Sequence, residues 1–478
     1  MMRTGAHYRK SLQDGRSVYV DGRPVSDVTT DPELAPVVSA VAGMYDYAGD
    51  HPDEMVTVAD ETGRDALAPL TVARSPEQLA KRTRAMTAWA ELTGGWLTRT
   101  PDHVAAILGG LASCAEIFDE GSRPLGRNVR TWYQRVLDEA LYVTYASVPP
   151  PAQVPRTVDE TGTYAQVHRT GEDAHGIRVS GALVPGAAAA VSDVLFLTSV
   201  NPLTPDDGEL ALAFVVPVAT PGVRIHCRPA YRRGADEPLA GRFDELDALV
   251  VLEDVAVPWE NVFVCGDLGA WESQFRRTPG FLLAKHQNLV RLTVKSRMLA
   301  GLAKRLCELK ENDGLVRSVE LLGEIGALAA LTEASMVAAE AQAVRLPGSD
   351  VLCPAPHHLT AGVLHQVTAY PRAVQIIREL AGGEVLDLPR AHDLADAVAQ
   401  RDLEKYGAPA GTSYSDRRQV LRLAWDCFGS EFAGRQVHFE ALTGGVAAVK
   451  RRESFERFDF GPGLELVGRL LAEVADEH

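Results

Sequence analysis

The chain has 478 residues, of which 46% are hydrophobic and 23% are charged, and this composition is typical of folded globular proteins rather than disordered ones. Its 48 lysines and arginines stand against 64 aspartates and glutamates, and the net charge of −16 argues against broad nucleic-acid binding. A chain of this length predicts about three domains.

The cysteines and the N-terminus indicate in which cellular compartment the protein is expected. Six cysteines are scattered without CxxC spacing, which signals neither a zinc knuckle nor a redox pair and is typical of a reducing cytoplasm. The first residues, MMRTGAHYRK, lack the apolar run of a signal peptide. We find no stretch of about 18 uncharged apolar residues, so no membrane span is expected. A soluble enzyme or a large soluble binding protein remains.

The chain begins with an extended region and then becomes helical. Residues 1–30 alternate apolar and polar side chains through SVYVDGRPVSDVTT. From residue 32 to 141 the apolar spacing predicts helices, for example in SPEQLAKRTRAMTAWAELTGG and PDHVAAILGGLASCAEIF. Ser75 and Thr100 each precede a proline, so we expect both to be helix N-caps, with His103 in the first turn of the second helix.

A region rich in β-formers follows. Its short segments are separated by glycine, proline, aspartate and asparagine: YVTYASV, YAQVHRT, GIRVSGALV, VLFLTSV, LALAFVVPV, VRIHCRP and ALVVLEDVAVP. This pattern predicts a β-barrel or sandwich.

The helical period then returns in two segments longer than an average helix, LVRLTVKSRMLAGLAKRLCELK and SVELLGEIGALAALTEASMVAAEAQAVRL. They indicate an antiparallel bundle. The predicted fold class is α+β, with a mainly helical N-terminal domain (1–141), a central β-domain (142–272) and a C-terminal helical bundle (273–478).

Common cofactor and metal motifs are absent: there is no GxGxxG after a strand, no P-loop, no HExxH, no GxSxG and no EF-hand loop. His357, His358 and His365 could form a metal site, since the last two share a helical face. No neighbouring carboxylate or cysteine completes a familiar ligand set. We therefore expect these histidines to form local hydrogen bonds, and we expect no metal.

Seven segments, in order along nearly the whole chain, resemble one family: DGRSVYVDGRPVSDVTT, LALAFVVPVATPGVRIHCRP, PLAGRFDELDALVVLEDVAVPWENVFV, AKHQNLVRLTVKSRMLAGLA, YPRAVQIIRELAGGEVLDLP, VLRLAWDCFGSEFAGR and HFE. The chain resembles the oxygenase components of two-component flavin-dependent aromatic hydroxylases, the 4-hydroxyphenylacetate 3-monooxygenase family. The resemblance implies an acyl-CoA dehydrogenase-like fold, which has the same helical, β, helical order.

The resemblance also implies an activity and its partners. Such enzymes take FADH2 from a separate NAD(P)H-dependent reductase, and dioxygen then forms a flavin C4a-hydroperoxide that hydroxylates a phenol. The flavin lies between the β-domain and the C-terminal bundle, and neighbouring subunits of a homotetramer help to build the site. A cytoplasmic biosynthetic hydroxylase is the preferred reading, because the catalytic residues depart from the catabolic pattern.

Three residues of this sequence match the family's catalytic positions. Arg99 matches the family's arginine, and the tyrosine four residues later is His103 here. The family's histidine at the start of the β-domain is Tyr145 here, so each proton-exchanging residue is replaced by the other's type. Arg99 would neutralise developing negative charge, His103 would be a base or proton donor titrating between about pH 6 and 7, and Tyr145 would bond the substrate.

The flavin and substrate contacts implied by the resemblance are only partly kept. Gln153 and Arg156 match flavin contacts, whereas the segment with the family's ring-side threonine holds Ala187 and Ala188. The C-terminal flavin motif has lost its charged residues and retains a glycine pair, Gly444–Gly445. The predicted substrate loop contributes three polar residues, which are Ser199, Asn201 and Thr204.

These departures leave alternatives. Oxidised flavin on the same fold could dehydrogenate or desaturate a substrate, which would explain the missing threonine and the exchanged pair. A flavin-free binding protein could have kept the scaffold. An iron–sulfur dehydratase of the same superfamily is disfavoured, because residues 96–106 contain no cysteine and Cys307 lies 21 residues after His286.

Overall fold

A computed structural model describes residues 2–150, 164–231, 236–389, 396–407 and 413–475. The helices within these ranges are α1 (Gly5–Ser11), α2 (Ala35–Asp50), α3 (Pro52–Met55), α4 (Pro76–Leu92), α5 (Pro101–Ala112), α6 (Gly126–Glu139), α7 (Ala240–Phe243), α8 (Leu268–Arg276), α9 (Gly280–Leu309), α10 (Val316–Ala341), α11 (Pro356–Ala381), α12 (Ala397–Tyr406), α13 (Tyr414–Phe428), α14 (Glu431–Leu442), α15 (Ala447–Arg457) and α16 (Gly461–Ala475). The strands are β1 (Val18–Val20), β2 (Arg23–Val25), β3 (Val56–Ala59), β4 (Arg64–Leu67), β5 (Val143–Ala146), β6 (His168–Glu172), β7 (Gly176–Leu183), β8 (Val194–Thr198), β9 (Leu212–Pro217), β10 (Val223–Cys227), β11 (Ala248–Pro258), β12 (Val262–Cys265), β13 (Val344–Arg345) and β14 (Leu352–Cys353).

The two predicted helix starts differ in how they are capped. The Ser75 side chain accepts a hydrogen bond from the Gln78 backbone N–H at the start of α4, as expected for an N-cap. Thr100 occupies the N-cap position of α5, but its side chain makes no capping bond. Its hydroxyl donates instead to Asp102 and accepts from Gln287, so the Thr100 side chain belongs to a tertiary network.

The central region forms two sheets. The six-stranded sheet has the order β2-β1-β10-β11-β7-β6, and the four-stranded sheet has the order β12-β9-β8-β5. Strand β5 pairs in parallel with β8, which places Tyr145 opposite Phe196. The N-terminal strand β1 pairs in parallel with β10, so the extended start of the chain is a part of the central β-structure. The predicted division at residues 141 and 272 stays a prediction.

The C-terminal region is a bundle built on α9, α10 and α11, and its two long predicted helices are confirmed. Among the described helices, α10 is by length and composition able to cross a membrane, and only 17% of its most apolar stretch is buried. Ion pairs nevertheless join α10 to its neighbours, through Glu333 with Arg297 on α9 and through Glu324 with Arg372 on α11. The outward face of α10 is apolar and stays uncovered in a single chain.

The helical, β, helical order confirms the predicted α+β architecture. One continuous buried core runs from the N-terminal helices through both sheets into the first half of α9. A second buried cluster lies inside the C-terminal bundle. The segment between α4 and α5 and the N-terminal half of α9 therefore meet β5 where the three regions join.

Candidate active site

The turn before α5 is held by a buried carboxylate. Glu245 accepts hydrogen bonds from the Thr98 hydroxyl and the Arg99 backbone N–H, and it is also 3.1 Å from the Arg435 guanidinium. The Tyr142 hydroxyl donates to the Arg99 carbonyl oxygen from the start of the β-region. These bonds hold the Arg99 N–H and carbonyl oxygen to two other parts of the chain, and they thereby set the direction of the Arg99 side chain.

The Arg99 guanidinium lies between two aromatic rings and is only 9% exposed. Its Nη2 donates to the Tyr145 hydroxyl at 3.1 Å, and its central carbon is 5.1 Å from the Tyr145 ring and 4.6 Å from the Phe439 ring. Within the described part of the chain it forms no ion pair with a carboxylate. An arginine only donates, so the Tyr145 oxygen accepts and its own hydrogen remains free for another acceptor.

His103 lies beside the same tyrosine. The two ring centroids are 5.7 Å apart with an interplanar angle of 23°, and His103 is buried. The structure therefore brings together the three residues that the sequence singled out, across 42 positions between His103 and Tyr145. The expected titration of His103 between pH 6 and 7 is wrong. Burial first, and then the neighbouring Arg99 cation, hold the pKa of His103 well below 6.5, so the ring is neutral at physiological pH.

A buried glutamine that the sequence reasoning missed supports His103. Gln287 on α9 places its Oε1 3.0 Å from His103 Nδ1, and its Nε2 donates to Thr100 Oγ1 at 3.0 Å and to Asp102 Oδ1 at 3.3 Å. The segment AKHQNLVRLT carried the family resemblance, but no spacing rule links residue 287 to residue 103. Only the packing of α9 against α5 reveals this contact.

Further along α9, buried charges join the bundle to the segment before Arg99. Arg291 forms two hydrogen bonds of 2.7 Å with Glu440, and the Lys295 ammonium is 2.8 Å from the same carboxylate. The two cations hold the pKa of Glu440 far below its usual range, and burial lowers the pKa of Lys295 to about 8. Arg291 also donates to the carbonyl oxygen of Gly95. Glu440 is adjacent in sequence to Phe439, whose ring packs on the Arg99 guanidinium. This buried network therefore helps to hold Phe439 against Arg99.

The predicted flavin contacts fall in different places. Gln153 and Arg156 lie outside the described residues. Ala187 and Ala188 are buried, and part of their backbone is already bonded: Thr144 donates to the Ala187 carbonyl oxygen, and the Ala188 N–H donates to the Glu245 carbonyl oxygen. Ala188 also adopts a left-handed conformation with φ of 61°. The side chains of these two alanines offer only methyl groups to a ligand.

The side chains nearest to the glycine pair are not members of the Arg99 cluster. A Cβ placed on Gly444 would meet carbon atoms of Lys285 at 3.7 Å. Lys285 and Gln287 are two residues apart on α9 and therefore point about 200° apart. Gly444 and Gly445 both have positive φ, of 75° and 106°, so this backbone turn favours glycine for conformational reasons alone.

Two buried polar atoms test whether a flavin fits here. Gln166 Nε2 and Gln274 Oε1 have no hydrogen-bond partner within the described residues. Gln274 donates through its other atom to Thr198 at the end of β8, and Gln166 bridges to Ala182 in β7. An unpaired buried polar atom costs about 1–3 kcal/mol, so each atom would be stabilised by a ligand group that bonds it, Gln166 Nε2 by an acceptor and Gln274 Oε1 by a donor. The polar edge of a flavin carries groups of both kinds, so either glutamine fits a contact with the cofactor.

The predicted substrate loop begins beside β5. The Val200 N–H donates to the Ser147 carbonyl oxygen, two residues after Tyr145, and Ser199 is buried. The backbone N–H of Asn201 donates to the Ser199 hydroxyl at 3.4 Å. Thr204 lies further out and its hydroxyl donates to Asp207 in the same loop, so of the predicted substrate residues Ser199 is the one held nearest the strand end that carries Tyr145.

Two family profiles together cover most of the chain. The profile of the 4-hydroxyphenylacetate 3-hydroxylase N-terminal region matches residues 4–264, and that of the C-terminal region matches residues 272–472. The chain belongs to this family. It is the oxygenase component of a two-component monooxygenase that hydroxylates an aromatic compound and uses FAD, which confirms the activity and the cofactor expected from the sequence.

Similar proteins include enzymes with different aromatic substrates. The oxygenase component of 4-nitrophenol 2-monooxygenase from Rhodococcus sp. is 32% identical over 97% of this chain and 90% of its own length. The (3S)-3-amino-3-(3-chloro-4-hydroxyphenyl)propanoyl-[peptidyl-carrier protein SgcC2] monooxygenase from Streptomyces globisporus is 31% identical over 91% of this chain and 84% of its own length.

Solved structures show the same fold. The oxygenase component of 4-hydroxyphenylacetate 3-monooxygenase, in complex with FAD and 4-hydroxyphenylacetate, matches 99% of both chains with a TM-score of 0.92 and 26% identity. An archaeal 4-hydroxybutyryl-CoA dehydratase matches 99% of this chain and 95% of its own with a TM-score of 0.90 and 20% identity, which shows the shared fold alone.

Proposed function

We propose that Arg99, His103 and Tyr145 form the catalytic centre for hydroxylation of a phenolic small molecule. The observation that carries the proposal is the Arg99 cation, which is bonded to the Tyr145 hydroxyl at 3.1 Å while the neutral His103 ring lies 5.7 Å from the Tyr145 ring. The reaction requires a cation, a base and a proton donor. Arg99 supplies a cation that has no carboxylate partner among the residues the structure describes, His103 supplies a neutral base, and Tyr145 supplies an O–H.

Each residue has one role. Reduced FAD, when bound, supplies the electrons that allow one oxygen atom of dioxygen to be transferred to the aromatic ring. The Arg99 charge stabilises the phenolate form of the substrate, whose pKa in water is near 10. The neutral His103 accepts the phenol proton, and the geometry favours this role over proton donation because burial keeps the ring unprotonated. The Tyr145 O–H donates a hydrogen bond to the substrate or to the departing oxygen.

We propose that Gln166 and Gln274 hold the polar edge of the flavin and that Ala187 and Ala188 provide an apolar contact with it. The unpaired Gln166 Nε2 and Gln274 Oε1 support the first part, and the buried methyl groups of Ala187 and Ala188 support the second. Gln153 and Arg156 stay predicted flavin contacts on the basis of the family resemblance. Ser199, Asn201 and Thr204 stay the predicted substrate loop.

The activity is tested with reduced FAD, dioxygen labelled with ¹⁸O, and 4-hydroxyphenylacetate and 4-nitrophenol as probe phenols. We expect one ¹⁸O atom in a hydroxylated product, and no product when oxidised FAD is supplied without a reductant. Anaerobic, substrate-dependent bleaching of oxidised FAD would instead identify a dehydrogenase. The absence of flavin binding in both redox states would identify a binding protein.

We propose a role in specialised biosynthesis. Two relatives support it: the carrier-protein-linked monooxygenase of Streptomyces globisporus and the pyoverdin chromophore biosynthetic protein PvcC of Pseudomonas aeruginosa, which is 29% identical over 94% of this chain and 91% of its own length. The exchange of His and Tyr in the catalytic pair supports it as well. A separate flavin reductase would supply the FADH2, and the six free cysteines are consistent with a cytoplasmic enzyme.

We propose that the chain assembles as a homotetramer. Helix α16 exposes three apolar side chains on one face, those of Leu464, Val467 and Leu471. The outward face of α10 is also apolar. The side chains nearest to Gly444–Gly445 are not members of the Arg99 cluster of the same chain, which fits a glycine pair that contacts the flavin of a neighbouring copy. Light scattering should give a tetramer for the wild type and smaller species for Leu464→Glu combined with Leu471→Glu. The variant Glu465→Ala on the same helix is the matched control, and a wild-type monomer at micromolar concentration would contradict the proposal.

A further inference from the structure

The hydrogen bonds beneath His103 form a chain with one direction. Asp102 is buried, and burial raises the pKa of its carboxyl, whereas the Thr100 and Gln287 hydrogen bonds and the Arg82 cation favour the ionised form. As a carboxylate it only accepts, so the Thr100 hydroxyl donates to it. The Thr100 oxygen is then free to accept from Gln287 Nε2 at 3.0 Å. The remaining atom of the amide, Oε1, therefore faces His103 Nδ1, and because this oxygen can only accept, the Nδ1 atom must carry the hydrogen.

We infer that Gln287 is a positioning residue that fixes His103 in the Nδ1–H tautomer and leaves its Nε2 unprotonated to accept the phenol proton. The hydrogen bond at one imidazole nitrogen decides which nitrogen carries the proton. The inference rests on the proposed role of His103 as the base, and it adds a residue on a different helix, 184 positions along the chain.

The opposite orientation of the Gln287 amide is unfavourable. It would place Oε1 at the present position of Nε2, 3.3 Å from Asp102 Oδ1 and 3.0 Å from Thr100 Oγ1. Two oxygens that both accept would then face each other in a buried setting, where an unpaired polar group is costly. The carboxylate of Asp102 thus determines the orientation of Gln287, and Gln287 in turn determines the tautomer of His103.

A neutral amide is also better suited than a carboxylate to this position. The charged and titratable groups beside His103 are Arg99 from the turn before α5, Arg291 from α9 and Tyr145 from β5. Asp102 lies at the other end of the Gln287 amide. A carboxylate in place of the amide would favour the imidazolium form and would weaken the field of Arg99. Gln287 orients the imidazole without charging it, and the base therefore stays available at neutral pH.

The decisive measurement is the tautomer itself, because it needs neither substrate nor turnover. The holoenzyme is labelled with ¹⁵N-histidine, and the His103 signals are assigned by their loss in His103→Gln. Solid-state ¹⁵N NMR should show Nδ1 protonated and Nε2 unprotonated in the wild type. In Gln287→Met, which keeps the side-chain length, the Nε2–H form should appear. A pure Nδ1–H form in Gln287→Met would overturn the inference.

Two further variants keep the test valid if Gln287→Met folds poorly. Asp102→Asn leaves Gln287 in place but removes the carboxylate that orients it, so a mixture of tautomers is expected there too. An unchanged tautomer in Asp102→Asn would refute the direction of the chain. The matched control is Gln366→Met, which removes another buried glutamine, bonded to Thr332 at 2.7 Å within the bundle, and should leave the His103 signals unchanged.

Kinetics provide the second readout, with 4-hydroxyphenylacetate as the probe phenol. Removal of a general base lowers the rate by about 10²–10⁴-fold. In Gln287→Met the base is kept but its tautomers are mixed, so kcat should fall by about tenfold. The KM for the phenol should change less than about threefold, because Gln287 does not contact the substrate. A rise in KM with unchanged kcat would assign Gln287 to binding. If the wild type does not hydroxylate this phenol, the NMR result still decides the role of Gln287, and the proposed substrate class fails separately.

Discussion

Replacing Arg99 with alanine removes a buried cation that faces the proposed substrate site and has no carboxylate partner within the described residues. Two unit charges about 4 Å apart interact by about 4 kcal/mol at the effective dielectric constant of a partly buried site. Each 1.36 kcal/mol corresponds to about a tenfold change in rate. Water that enters the space left by the guanidinium recovers a part of this energy, and we therefore expect product formation to fall about 100-fold or more.

The same substitution should change folding little. The variant loses the hydrogen bond to Tyr145, worth about 1 kcal/mol, and two cation–π contacts of about 0.5–1 kcal/mol each. It also removes the cost of keeping an unpaired cation out of water, which offsets much of this loss. The net change in the free energy of unfolding is expected to be about 1 kcal/mol or less, and the melting temperature should move by a few degrees at most.

The assay is a single turnover with photoreduced FAD and a phenol, followed by quantification of both product and hydrogen peroxide. Arg99→Ala should still consume dioxygen but release peroxide in place of product, because the substrate is no longer activated. The control is Arg178→Ala, which removes an exposed arginine of β7 that pairs with Asp254 of β11, and this variant should behave as the wild type. An Arg99→Ala enzyme with normal product yield would exclude this residue from the mechanism.

Three other changes test separate parts of the structure. Because the pKa of His103 lies well below 6.5, the pH profile of kcat should show no His103 inflection between about pH 6 and 8. Below about pH 6.5 the histidine is protonated more readily in the unfolded chain than in the folded one, so the free energy of unfolding should fall there. An inflection of kcat near pH 6.5 that is lost in His103→Gln would contradict this. The double variant His103→Tyr with Tyr145→His should retain more activity than the product of the single variants, because each single change leaves two rings of one type in contact; a purely multiplicative loss would show that the exchange is coincidental. Glu440→Gln should lower the free energy of unfolding by about 3–5 kcal/mol, since Arg291 and Lys295 are then buried without their carboxylate. The pKa of Glu440 is depressed in the folded protein, so the extra stability of the wild type is complete above about pH 4.5 and shrinks as the pH falls. Equal urea midpoints for the two proteins at pH 7 would refute this prediction.

The sequence predicted the order of the elements because their signals are local. The run of β-forming residues ALVVLEDVAVP coincides with β11, Ala248–Pro258, and the long helical periods mark α9 and α10. The pairing of β1 with β10 was not predicted, because strands of three residues carry little pattern and their partner lies about 200 positions away.

The residues of the proposed active site were predictable from the sequence, but the electrostatics of the cluster were not. Arg99, His103 and Tyr145 follow from matched positions in a family. The pKa of His103 depends on its complete burial and on the cation beside it, which no residue type reports. Gln287 was missed because an amide has no characteristic spacing from the group that it orients, and its role follows only from where its two polar atoms lie.

The left-handed backbone at Ala188 restricts how the proposed flavin pocket can be redesigned. A directed-evolution library that aims to place a hydroxyl at the proposed flavin contact would naturally include threonine at every position of the alanine segment. At residue 188 the φ of 61° makes a β-branched side chain a genuine conformational outlier, at a cost of order 1–3 kcal/mol, whereas glycine, asparagine and aspartate tolerate it. Serine and threonine should therefore be introduced at residues 187 and 189, and residue 188 should be varied only among the residue types that accept its backbone conformation.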